Sequence, residues 1–148
     1  MASKSSEIKT KIKTLLDALV TAGTLGEVVE DDFRESNLFD RDLSAFPAAI
    51  LTSPSISGDY LTSNENMRTY TFEIVVLQKG ENIASASEIE DLAEALMDKF
   101  DNDPTLGGKA DGAVEPSATN PAPVTVRGKT LIVFSITLKA KASITLTF

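Results

Sequence analysis

The sequence predicts an α+β domain, a largely antiparallel sheet with two helices packed on one face. Three observations predict it. Two segments have apolar residues at helical spacing, near residues 8–19 and 89–100. Two long segments alternate at the strand period, over 67–78 and from Ile132 to the end. The helical segments lie far apart in sequence, with strand-like segments after each, which is the order of an α+β fold rather than of repeated βαβ units.

The first helix follows Ser5 or Ser6, either of which can cap it, and carries Ile8, Ile12, Leu15, Leu16 and Leu19 on one face. Gly23 and Gly26 punctuate its end, and "EVVEDD" reads as a short strand. "FPAAILTS", 46–53, reads as a second strand with Pro47 near its start. The polar stretch "PSISGDYLTSNEN" is expected to project as a loop. "MRTYTFEIVVLQ" then reads as a central strand. Tyr70, Phe72, Ile74 and Val76 share one face; the other begins polar at Thr69, Thr71 and Glu73 and turns apolar at Val75 and Leu77.

Ser85 and Glu88 have the spacing of a capping box for the second helix, whose stripe is Ile89, Leu92, Ala93, Leu96 and Phe100. "VEPSATNPAPVTV" looks like an interrupted hairpin. In the last segment every even position from Ile132 to Phe148 is apolar, and the odd positions after Val133 are Ser, Thr or Lys. That run exceeds the ordinary strand of about 5–6 residues. Either it bends near Ala140–Ser143 or its end leaves the domain. The expectation is a single domain over 1–148, with 140–148 as a C-terminal arm reaching a neighbouring subunit.

Composition narrows the chemistry. The 148 residues include no cysteine and no histidine, which removes disulfides, thiolate chemistry and the commonest general base and metal ligand. "MASKSSEIKTKIK" has no apolar run behind its lysines and no stretch is long and apolar enough to span a membrane, so the expectation is a soluble protein made in a cytoplasm. The net charge of −8 is segregated. Lysines crowd residues 1–13, acids crowd 81–115, and no acid follows Glu115. An acidic total argues against specific nucleic-acid binding. Separated signs suit packing against copies of the same chain or a charged partner, and equally suit a solvated surface.

No motif makes a catalytic or metal site. "DKFDNDPTLGG" lacks the spacing of a calcium loop, and its "GGK" has Asp103 where a phosphate loop needs its first glycine. It reads as a structural corner in which Gly107 and Gly108 supply backbone freedom. "SEIK" matches a serine acyl-enzyme pattern, but the K-T-G companion is absent. Glu90, Glu94 and Asp98 repeat at i, i+4, i+8 with no base between them, a candidate acidic face toward a lumen or partner.

Element order, "FPAAILTS" followed by "MRTYTFEIVVLQ", the acidic helix ending in "DNDPTLGG" and the long last strand together resemble the tail terminator (tail completion) proteins of long-tailed bacteriophages. The resemblance covers most of the chain. It implies a non-enzymatic virion protein at the tail end or neck, without a cofactor, assembled as a hexameric ring. Its implied partners are the tail tube protein and the head connector or completion protein, with DNA passing through unbound and no membrane involved. Asp59, Tyr60, Leu61, Ile144, Leu146 and Phe148 are the candidate subunit interface, and Glu90, Glu94 and Asp98 the candidate lumen or partner face. The alternatives are a head-completion protein of the neck, a small ligand-binding α+β module, and an enzyme working through Asp, Glu or Lys.

Overall fold

The structure is a computed structural model that describes residues 3–31, 45–60, 65–80, 86–126 and 128–145. Helix α1 spans Lys4–Thr21, and its cap is Ser3, not Ser5 or Ser6. The Ser3 hydroxyl accepts the Ser6 amide at 3.1 Å, so the cap lies two residues before Ser5 and three before Ser6, both of which fall in the first turn. Ile8, Ile12, Leu15, Leu16 and Leu19 are all buried, as the spacing predicts. Helix α2 spans Ala86–Asp101, and buries Ile89, Leu96 and Phe100 with Leu92 and Ala93 beside them. The expected cap Ser85 lies outside the described residues.

The strands are β1 (Glu27–Asp31), β2 (Ala48–Thr52), β3 (Ser55–Tyr60), β4 (Glu65–Lys79), β5 (Glu115–Ala118), β6 (Ala122–Val126) and β7 (Lys129–Thr145). They form one sheet, antiparallel except where β1 lies parallel to β2. Its spine is the β4–β7 pair, in register from Glu65↔Thr145 to Lys79↔Leu131. At ~3.3 Å per residue, the 15-residue β4 runs for about 50 Å. The length of the final segment therefore has an internal cause: its partner β4 pairs with it over 15 residues, Leu131 to Thr145. Up to Thr145 the segment keeps one unbroken register on β4 of its own chain and does not leave the sheet. Reaching a neighbour falls to its other edge or to residues 146–148, which lie outside the described residues.

Two further expectations are corrected. The stretch after Thr52 is not a loop over its whole length, because Ser55–Tyr60 forms β3 on β4. Polar composition concealed it; a strand at a solvated edge needs few apolar residues. The interrupted hairpin in "VEPSATNPAPVTV" is also different, because β5 and β6 do not pair with each other. Both lie in line on β7, and β6 turns back into β7 through Gly128.

The two flanking ribbons, β2–β3 and β5–β6, share one device. Leu51 pairs with Ile74 and Ser55 with Thr71, so three residues oppose two, and the surplus falls at Ser53–Pro54 beside Phe72. Ala118 pairs with Ile136 and Ala122 with Val133, which puts the same surplus at Asn120–Pro121 beside Phe134. Each ribbon is bulged at a proline, a residue that cannot donate to the ladder.

Both helices pack on one face. There α1 and α2 meet Tyr70, Phe72, Ile74 and Val76 of β4 and Phe134, Ile136, Leu138, Ala140 and Ala142 of β7 in one core. On the opposite face a smaller cluster of Ile50, Val75, Leu77 and Leu131, with Phe46 and Val133 against it, explains why β4 turns apolar on both sides near its end. The Lys79 ammonium lies 5.2 Å from the Phe46 ring centre at its margin. Thr52, the buried polar side chain among the described residues, donates to the Glu73 carbonyl at 2.8 Å.

Candidate interaction surface

The corner after α2 is built from its own sequence. Asp103 accepts the Gly107 amide at 2.9 Å through one carboxylate oxygen and faces the Lys11 ammonium at 3.5 Å through the other. Leu106, Gly107 and Gly108 follow at φ 52°, 66° and 85°, three left-handed residues in a row. Glycine takes this conformation without cost, whereas Leu106 is held in it by complete burial of its side chain. Val114 donates to the Pro104 carbonyl at 2.7 Å and closes the corner on itself. Among the described residues no three acidic side chains come together to hold a metal ion. The turn formers and glycines that the sequence marks are the residues that close this corner.

Beyond the corner, Asp111 attaches to the outer side of β7. Its amide donates to the Lys141 carbonyl at 2.7 Å, and its carboxylate accepts the Ser143 amide at 2.6 Å. Glu115 pairs with Lys139, at the start of β5. Asp111 therefore occupies the edge of β7 where β5 has not yet begun. No spacing or composition signal marks this role in the sequence.

The candidate interface residues divide. Leu61, Leu146 and Phe148 lie outside the described residues. The other three converge at one end of the sheet. Tyr60 pairs with Asn66, and Asn66 pairs on its other side with Ile144. Asp59, Met67 and Ser143 form the next row. The Asn66 amide packs against Gly58: a Cβ there would sit 3.0 Å from its nitrogen and 3.1 Å from its oxygen. That oxygen is buried without a hydrogen-bond partner.

Glu90, Glu94 and Asp98 are all exposed on α2, away from the Ile89–Leu96–Phe100 stripe. No ion pair among the described residues engages them. They belong to the helix layer, not to the row of Tyr60, Asn66 and Ile144, so the two candidate groups are separate surfaces. Lys139 and Lys141 are exposed on the sheet face away from the helices, since their neighbours Leu138, Ala140 and Ala142 face the core. The α2 acids and the β7 lysines thus lie on opposite sides of the sheet, although Glu115 shares the lysine side opposite Lys139.

β3 is the part of this surface that the sequence did not announce. Ser55, Ile56, Ser57 and Gly58 are exposed, and no described strand pairs with its outer side. The apolar Ile56 between two serines was the available signal. No helix among the described residues is long and apolar enough to cross a membrane. No family model matches the chain, and no curated protein matches it in sequence.

Proposed function

We propose that this chain is a structural virion protein that forms a ring on the end of a phage tail tube. The ring stops tube polymerisation and presents the surface that joins the tail to the head. One observation carries the reading. Tyr60 and Ile144, assigned separately to subunit contacts and more than eighty positions apart, flank Asn66 in a single row. The two candidate contact segments thereby lie side by side at one end of the sheet.

The charge arrangement supports the same reading. Subunits in a closed ring meet head to tail, so each contact joins two unlike surfaces. The acids of α2 and the lysines of β7 lie on opposite sides of the sheet, which suits such contacts. Where Glu90, Glu94 and Asp98 face the lumen instead, they repel DNA phosphates and let it slide, the reverse of the counterion-releasing contacts that bind it. In this reading the protein catalyses nothing and takes no cofactor. Its site in the virion is the tail end, and its partners are the tube protein and the head connector.

The test is electron microscopy of lysates from a parent phage lacking this gene. Overlong, headless tails are expected, because length control and joining fail together. Tails of normal length beside leaking heads would place the protein among the head-completion proteins, and intact virions would remove it from the joining apparatus.

A further inference from the structure

The sequence contains one Asp-Gly step, at Asp111–Gly112, and no Asn-Gly step. Glycine after aspartate is the pairing in which the next backbone nitrogen most easily reaches the side-chain carboxyl, because no Cβ stands in its way. Here the step falls on the residue that fastens the corner to β7. Both reacting groups are open. Asp111 and Gly112 are exposed, and a Cβ at Gly112 would meet nothing within 4 Å. The Gly112 amide donates no hydrogen bond among the described residues. The restraint on the carboxylate is the Ser143 amide at 2.6 Å, at an exposed site. Bonds of this kind open locally, with free energies far below that of global unfolding.

We propose that Asp111–Gly112 is a site of spontaneous covalent modification, where Asp111 isomerises to isoaspartate and releases the edge of β7. The carboxyl leaves Ser143, takes a proton from solvent and is attacked at Cγ by the Gly112 nitrogen. A bond forms between that nitrogen and Cγ. The amide proton and the carboxyl hydroxyl depart as water, leaving a cyclic imide. Water then adds to one of the two ring carbonyls. Addition at Cγ restores aspartate. Addition at the former backbone carbonyl breaks the old peptide bond, so the chain now runs through Cβ and Cγ and a carboxylate remains on Cα. Water is the co-reactant, and the sum is an isomerisation.

The product lengthens the main chain by one methylene and moves the carboxylate off its place against Ser143. Gly112 and Ala113 are exposed and take up the slack. Val114 stays buried, with its amide on the Pro104 carbonyl, so the corner remains closed. The change is confined to the latch: the fold persists while the edge of β7 near Ser143 opens. An uncovered edge is a template for association.

Prolonged incubation of the full chain in warm neutral buffer tests this. Isoaspartate is read by methyl transfer from S-adenosylmethionine with an L-isoaspartyl methyltransferase, and located by peptide mass spectrometry. Amide exchange at Ser143 is read on the same samples. Expected is isoaspartate accumulating at position 111, with a fast-exchanging Ser143 population in proportion to it and an unchanged melting transition. Asp111→Glu keeps the charge but adds a methylene, so its imide does not close readily and methyl acceptance should be lost. Native chain that forms no isoaspartate at 111 overturns the proposal. So does isoaspartate that leaves Ser143 exchange unaltered, or an Asp111→Glu variant that accepts methyl groups like the wild type.

Discussion

Asp111 accepts the amide of Ser143, 32 positions away, at 2.6 Å, and so fastens the corner that follows α2 to the edge of the longest strand. Replacing Asp111 with alanine leaves that amide to water and uncovers the strand edge. The expected loss is about 1 kcal/mol, since a charge-assisted bond at an exposed site keeps only part of its value. Asp111→Ala should also gain a tendency to aggregate. Urea unfolding and light scattering check the two effects, and an unchanged midpoint would mean the bond contributes nothing to stability.

Gly26 and Gly108 are expected to respond to alanine for different reasons. A Cβ at Gly26 would lie 2.7 Å from backbone atoms of Ala45 and Phe46, while its amide donates to Pro47 at 2.7 Å. Backbone cannot yield as a side chain can, so Gly26→Ala should cost at the upper end of the roughly 1–3 kcal/mol range for overpacking. Gly108 has open space around it but φ of 85°, so alanine meets only the backbone penalty of about 1–2 kcal/mol. Denaturation midpoints should rank Gly26→Ala as the more damaging change.

The spine predicts a steep contrast between two apolar residues. Phe72 is fully buried between the helices and the sheet, whereas Ile56 is exposed. Phe72→Ala should cost about 3–5 kcal/mol through lost burial and a residual cavity. Ile56→Ala should stay within about 0.5 kcal/mol. Similar losses at both sites would contradict the sheet's layering.

Neutralising the acids of α2 separates folding from assembly. Glu94→Gln removes like-charge repulsion from Glu90 and Asp98, worth about 0.2–0.5 kcal/mol for each pair on an isolated helix. Thermal stability of the monomer should hold or rise slightly. If the acids meet a basic neighbour in the ring, the triple variant Glu90→Gln, Glu94→Gln, Asp98→Gln should fail to complement a phage lacking the gene. Full complementation would exclude that contact.

Truncation must respect the spine. Ending the chain after Lys139 removes the partners of Glu65–Tyr70 on β4, so any defect would follow from damage to the fold. Ending it after Thr145 retains every described β4–β7 pair. The shorter deletion should keep the circular dichroism melting curve and lose ring assembly, as judged by negative-stain microscopy. Intact rings would free residues 146–148 of any role between subunits.

The elements that the sequence disclosed are those whose burial is periodic. Ile8 to Leu19 and Ile89 to Phe100 show 3.6-residue spacing because one side of each helix meets the core. Tyr70 to Val76 and Phe134 to Ala142 alternate because each strand has one face under the helices. β3 escaped notice because its face is solvated, and alternation is muted where neither side needs apolar cover. The link between β5–β6 and β7 was hidden for another reason: prolines look like interruptions, yet a bulge lets a ribbon continue past one. Of the candidate surface, the segments around Tyr60 and Ile144 were visible singly. Their meeting at Asn66 depends on two registers, which are properties of pairs and not of either segment.

The β4–β7 spine also determines when this molecule can become itself. Its pairs join residues separated by 131 − 79 = 52 positions at one end and 145 − 65 = 80 at the other, so the spine cannot start as a hairpin. Loop closure must come first and reward follows later, which places folding in the slow range of milliseconds to seconds for sheets of non-local pairing. On a ribosome, β4 waits for its partner while more than fifty further residues are made. Until β7 emerges, the apolar faces of both helices have half a floor to rest on. The chain is therefore most exposed to wrong partners, and most in need of chaperones, in the interval before its last described strand arrives.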